Sequence, residues 1–358
     1  MEYVIGLLIL LGVLIFFHEL GHFVIAKLLG VKVLKFSLGF GPAIISRKWG
    51  QTEYMLSWVP LGGYVKLLEE NPDSEDEVEP GDEDKCFQRK PLLARMAIIA
   101  AGPIANYVLA IILLSIGYMA GFPVPTSKLG KVLDNSPAME AGLKAGDRVV
   151  AVEGKEVWRW DDMRSIIEKS PDKAVNLKVE RDGETRDVSV TPRLSKDKDA
   201  FGNPTGRIGV TSARETVELG ITGSIYEGTR LTFQITGMIF ETLVKLVKRE
   251  ISAKNLSGPI SIAQASGESL RAGFFSFIFV LAFISINLAI INLLPIPILD
   301  GGHLLFFLIE AVTRRPVTGK VREIATQAGF LFIIFLMVLV FYNDISRLIQ
   351  GRSLLAPP

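Results

Sequence analysis

Hydrophobic and polar positions divide the 358-residue chain into long uncharged stretches and shorter mixed ones. Residues 3–17 carry no charge, and the apolar segment they begin runs from about Tyr3 to Leu29. At 1.5 Å per residue that is enough to cross a bilayer. Met96 to Ser127 is also uncharged and predicts a second span over about 98–120. Ala272 to Leu299 predicts a third over about 273–294, broken at Pro295 and Pro297, and the stretch from Ile324 to Asn343 a fourth. Between the first two spans, residues 36–66 alternate short apolar, aromatic and β-branched runs with glycine and proline, including Gly39-Phe40-Gly41-Pro42. That pattern predicts β-hairpins. Residues 69–84 are acidic and proline-punctuated, as in a solvated loop.

The polar insert at 128–217 follows other rules. Gly130-Lys131-Val132 reads as a strand, Ser136 onward as a short helix closed by glycine, and Asp161 to Lys169 as a helix. Val175–Val179 is expected to pair with Val188–Thr191 across an Asp182-Gly183 turn. The order of these elements, with Ala141-Gly142-Leu143 and Gly146-Asp147, closely resembles a PDZ domain. Such domains bind extended peptide ends by strand addition. Glu218 to Lys254 alternates at helical spacing and Leu256–Ile260 reads as a turn before another short helix, so 218–271 predicts an amphipathic linker on the membrane surface.

Composition fits membrane spans alternating with a polar domain: 49% of residues are apolar, yet 22% are charged. A net charge of +1 speaks against a nucleic-acid partner, which a basic stripe would mark. The single cysteine, Cys86, excludes an intramolecular disulfide and a thiolate-rich zinc cage. The N-terminal segment lacks a positive start and a small-residue cleavage site, so it is expected to be retained. Arg89, Lys90 and Arg95 precede the second span, and Arg314, Arg315, Lys320 and Arg322 lie between the third and fourth. By the positive-inside rule both groups are cytoplasmic, which puts the 128–217 insert outside.

Two of the three histidines lie in His18-Glu19-Leu20-Gly21-His22, inside the first apolar segment. Four residues apart on a helix, their imidazoles share one face and can share a metal, with Glu19 placed to take a proton from a water on it. Ionisable groups in a membrane segment are costly and mark function. A catalytic zinc usually takes three protein ligands. Asp300, at the expected depth after the proline-broken span, is the favoured third, and His303 is its rival.

His18-Glu-Leu-Gly-His22, Asn292-Leu-Leu-Pro-Ile-Pro-Ile-Leu-Asp300-Gly-Gly, the Gly39-Phe-Gly-Pro region and the PDZ-like insert together resemble the site-2 protease family, in its bacterial RseP-type branch. The resemblance implies a polytopic α-helical membrane protein with four transmembrane helices, a membrane-associated β-hairpin region and one inserted α+β PDZ domain. It implies Zn2+ on His18, His22 and Asp300 with Glu19 as general base. It further implies that Asn287, Asn292 and the loop carrying Gly39 and Gly41 hold an unwound substrate. The expected partners are single-span membrane proteins (anti-sigma factors already cut once, remnant signal peptides), peptide termini at the PDZ domain, and the lipid bilayer. The expected location is the bacterial cytoplasmic membrane. The alternative is a proteolytically inactive scaffold that binds peptides through the PDZ domain; the intact Glu19 speaks against it.

Overall fold

The structure is a computed structural model that describes residues 2–70, 77–198 and 204–350. The chain forms two compact units, one of residues 1–117 with 221–358 and one of residues 118–220. In the first unit, α1 (Glu2–Leu28) leads into β1 (Val33–Trp49) and β2 (Thr52–Leu67), and α2 (Leu92–Met119) follows. Of the acidic run over 69–84, residues 71–76 lie outside the described residues; Glu83–Lys85 and Phe87–Arg89 are short 3-10 turns.

The β1–β2 pair is more than the simple hairpin that the pattern predicts. Residues 35–38 of β1 pair on one side with 53–56 of β2 and on the other with 63–66, while 43–49 of β1 pair with 52–57. Both strands bend back on themselves, giving four short runs in the order 43–49, 52–57, 35–38, 63–67; the two outer pairings are antiparallel, and the central one, 52–57 beside 35–38, runs in parallel register. The bend in β1 needs Gly39: its φ is +91°, and a Cβ there would meet the Ser57 carbonyl oxygen at 2.9 Å. Ser37 Oγ, fully buried, ties the bend by donating to the Gly39 carbonyl. Among the described residues the outer runs, 43–49 and 63–67, have no further strand beside them.

The second unit opens with β3 (Phe122–Val132), six residues before the expected start of the insert. Then come α3 (Pro137–Glu140), β4 (Arg148–Val152), β5 (Lys155–Glu156) and α4 (Trp160–Glu168). They are followed by β6 (Val175–Arg181), β7 (Glu184–Val190), β8 (Arg193–Lys198), β9 (Pro204–Arg207) and β10 (Val210–Val217). The main sheet runs β10-β3-β4-β6-β7, with β5 on β4. Asp182 and Gly183 both adopt positive φ, as the two-residue turn between twisted strands requires. Alternate residues Val175, Leu177 and Val179 of β6 are buried against Met163 and Ile167 of α4, so the period-2 pattern reports a one-sided sheet. A groove of about 300 Å³ lies between α4 and residues 206–210, lined by Trp160, Met163, Ile167 and Ile208.

Back in the first unit, α5 (Ile221–Val247), α6 (Pro259–Ala272), α7 (Phe274–Asn292), α8 (Asp300–Thr313) and α9 (Gly319–Ile349) complete the chain. Four helices, α1, α2, α7 and α9, are long and apolar enough to cross a membrane. The helical spacing over 221–247 does form a helix, but its buried face is Ser224, Glu227, Gly228, Thr232 and Ile235. Ile221, Ile225, Phe233, Met238, Phe240, Val244 and Val247 are exposed, while Leu231, Ile239 and Leu243 pack with Ile235 into the core. It packs on α2, where Gly228 sits against Ser115 and the hydroxyls of Tyr107 and Thr236 lie 2.7 Å apart. α6 rests on α1, with Gly6 against Ser266 and Gly267 against Tyr3. The fully buried Asp344 of α9 accepts the amides of Gly258, Ile260 and Ser261, at 3.0 Å each, and the Ser261 hydroxyl at 2.6 Å. That carboxylate satisfies the open amides of the α6 N-terminus.

Candidate metal centre

His18 and His22 lie one turn apart on α1, their ring centroids 4.9 Å from each other and their planes almost perpendicular. Their Nε2 atoms are 3.4 Å apart. Asp300 joins them from the first residue of α8: its Oδ2 is 3.3 Å from His18 Nε2 and its Oδ1 is 3.7 Å from His22 Nε2. The chain reaches that point because α7 stops at Asn292, ahead of Pro295, and tight turns through Leu294, Ile296 and Leu299 double it back. Gly301 and Gly302 then lie on the backbone of residues 293–297, too close for any Cβ. This contact accounts for the two glycines after the aspartate. The far end of α8 is tied to α2 by the Arg95–Glu310 ion pair at 2.5 Å.

The three groups fit a divalent metal. Four ligands around a zinc at 2.0–2.2 Å stand roughly 3.3–3.5 Å from one another, and the observed separations fall at or near that range. Asp300 Oδ2 is buried without a hydrogen-bond donor, an expensive state for an oxygen that has no cation. His18, His22 and Asp300 are the one such converging set among the described residues.

Glu19 lies beside them in a cavity of about 190 Å³, shared with Gly63, Tyr64, Val65, Glu70 and His303. The Val65 backbone amide donates to the Glu19 carboxylate, so the 63–67 run forms the wall next to it. His303, the rival ligand, therefore reaches the cavity but stands outside the converging set. Of the residues expected to hold substrate, Asn292 is at the centre, its Nδ2 3.4 Å from His18 Nε2. Asn287 instead donates to the Phe283 carbonyl of its own helix, and Gly39 and Gly41 do not line the cavity.

Sequence reasoning missed the part played by α2. Its Gly102 leaves room for both imidazoles, since a Cβ there would fall 2.6 Å from His22 Cε1 and 2.9 Å from His18 Cε1. The Ile98 carbonyl accepts from His22 Nδ1 at 2.8 Å, and the Asn106 side chain lies 3.4 Å from His18 Nδ1. Gly21 of α1 packs against Ala101 and Ala105 with no space for a side chain. The available signal was the densest cluster of small residues in that span, Ala100-Ala101-Gly102 with Ala105.

The profile of peptidase family M50 matches residues 6–336. The chain belongs to this family, that of the site-2 proteases. It is 32% identical over 420 residues to the regulator of sigma-W protease RasP of Bacillus subtilis, covering 96% of this chain and 98% of that one. To the zinc metalloprotease RasP of Bacillus licheniformis it is 32% identical over 423 residues, with 97% and 100% covered. The resemblance read from the two motifs and their order is thus borne out, and the family supports a multi-pass membrane peptidase.

Proposed function

We propose that this protein is a zinc-dependent intramembrane endopeptidase that cuts the transmembrane segments of single-span membrane proteins, such as anti-sigma factors cut once already or remnant signal peptides. The observation that carries the reading is the convergence of Asp300, from the start of α8, on His18 and His22, which with Glu19 lie in a helix of membrane-spanning length. His18, His22 and Asp300 hold the ion, and zinc supplies the Lewis acidity that makes water nucleophilic near neutral pH and polarises a carbonyl. Glu19, facing the same cavity, accepts the proton of the attacking water and returns one to the leaving amine.

A helical substrate shields its carbonyls within its own hydrogen bonds and must be unwound before attack. Along the cavity wall the 63–67 run has no further strand beside it among the described residues, and its Val65 and Leu67 amides are held by the Glu19 and Glu70 carboxylates; an extended segment adds there by main-chain hydrogen bonds in place of those contacts. Asn292 extends that hold from the other side, whereas Asn287 and the Gly39–Gly41 bend act further along the segment. The cationic flanks put the loops preceding α2 and following α8 in the cytoplasm. The second unit is then an extracytoplasmic PDZ domain of a protein of the bacterial cytoplasmic membrane. Its groove between α4 and residues 206–210 suits a peptide end, and it acts on access rather than on chemistry.

The test is cleavage of a single-span reporter by the purified protein, with and without a zinc chelator, alongside metal analysis. Glu19→Gln is expected to keep its zinc and lose cleavage, and Asp300→Ala to lose both. A fully zinc-loaded, active Asp300→Ala protein would refute the assignment.

A further inference from the structure

The two imidazoles of the site differ in how their second nitrogen is held. His22 Nδ1 lies 2.8 Å from the Ile98 carbonyl oxygen, which can only accept. The proton of that ring is therefore on Nδ1, and the lone pair of Nε2 is left for the metal. At His18 the corresponding neighbour is the Asn106 carboxamide, two turns further along α2. Asn106 is fully buried, and its own backbone carbonyl accepts from Ser285 Oγ of α7 at 2.7 Å, so two helices fix where it stands. As placed, its Nδ2 faces His18 Nδ1 at 3.4 Å, while its buried Oδ1 has no hydrogen-bond partner.

That orientation conflicts with the other side of the ring. His18 turns Nε2 towards Asp300 and His22, so Nε2 is its ligating atom. A neutral imidazole that ligates through Nε2 carries its hydrogen on Nδ1. Two donors would then face each other across 3.4 Å. A half-turn of the carboxamide exchanges its nitrogen and oxygen with almost no change of shape. It would put the otherwise unpartnered Oδ1 opposite the Nδ1 hydrogen.

We infer that Asn106 is a positioning residue of the metal centre, accepting a hydrogen bond from His18 Nδ1 through Oδ1 and so setting the ring's tautomer and orientation. The inference rests on the metal-site reading given above. In it, Ile98 and Asn106 serve the two ligands in the same way, one by a backbone oxygen and one by a side-chain oxygen. A neutral acceptor does this without adding a third negative group to Glu19 and Asp300.

The test is zinc affinity of the full-length protein in detergent, measured by competition with a chromophoric chelator. Thermal unfolding of each variant serves as the folding control. Asn106→Leu keeps the volume and removes the acceptor, and Asn106→Ala removes it without overpacking. Both are expected to weaken zinc binding roughly 10- to 100-fold, the usual effect of losing a partner of a metal-bound histidine. Asn106→Asp keeps an oxygen in either orientation and is expected to stay within a few-fold of the parent protein. Parent-like affinity in N106L and N106A would overturn the inference. An N106D protein as weak as N106L would overturn the acceptor role. Unaltered zinc binding by His18→Ala would overturn the metal-site reading itself, a result separable from either of these.

Discussion

Gly102→Ala is the smallest change that should silence the site while leaving the fold intact. The added Cβ would stand 2.6 Å from His22 Cε1 and 2.9 Å from His18 Cε1, where ordinary contact begins at 3.4 Å. α2 could relieve this only by moving away from α1, which would give up the close packing of Gly21 on Ala101 and Ala105. The closest contact would be His22 Nε2 itself, so the ring must move by about 1 Å or more, and that movement stretches its bond to the Ile98 carbonyl. A displacement of about 1 Å in a catalytic group costs on the order of 100-fold in rate, or roughly 2.7 kcal/mol of transition-state stabilisation. Helix propensity acts in the opposite direction, since alanine favours a helix interior over glycine by about 0.5–1 kcal/mol. The expected signature is a protein that unfolds no earlier than the parent on heating, binds zinc more weakly and cleaves the reporter about 100-fold more slowly. Parent-level kcat/KM in G102A would show that α2 does not confine the imidazoles, and the argument built on its small residues would fail.

Other consequences can be checked separately. His303→Ala is expected to retain stoichiometric zinc, because His303 lies outside the converging set; loss of the metal would make it a ligand. In the second unit, Asp147 is buried and accepts two hydrogen bonds from Arg181, at 2.6 and 2.7 Å, and one from the Lys144 amide at 2.8 Å. Burial alone would raise its pKa, but these partners outweigh burial and hold the carboxyl below its usual range. With the folded value depressed, the stabilisation is complete above the unfolded value near 3.8 and is lost as pH falls through the folded value. Asp147→Asn should lower stability at pH 7 by on the order of 2 kcal/mol and flatten the acid limb of the unfolding profile. Equal acid sensitivity in parent and variant would remove Asp147 as the cause.

The legible and illegible parts of this molecule divide along physical lines. The His18–His22 face could be read from spacing alone, because an α-helix brings residues four apart together whatever surrounds it. Asp300 could be placed by depth and by the prolines before it, which stop α7. The contributions of Ile98, Gly102 and Asn106 depend on the register between α1 and α2, which is set by packing and not by periodicity within either helix. The hairpin was legible as strands, but the double pairing of residues 35–38 was not, since strand partners are chosen at long range. For α5 the period correctly grouped residues by face. The packed face, however, mixes small and polar residues such as Ser224, Gly228 and Thr232 with Leu231, Ile235 and Leu243, so which face turns inward could not be taken from apolar spacing alone.

The cap that Asp344 places on α6 also bears on the order in which the protein can be assembled. α6 touches the N-terminal half of α1, yet the group that satisfies its first amides lies 86 residues downstream of Gly258, near the end of α9. During synthesis those amides have no carboxylate to meet until the chain has been made as far as Asp344. Tertiary support for the helix that bears His18 and His22 is thus completed late, after α7 and α8 have been synthesised. A chain halted before α9 would hold every metal ligand and still lack its closed α6. Asp344→Ala in the full-length protein should reproduce that state, seen as faster proteolysis around residues 258–261. Equal protease resistance in parent and variant would detach the last helix from the maturation of the first.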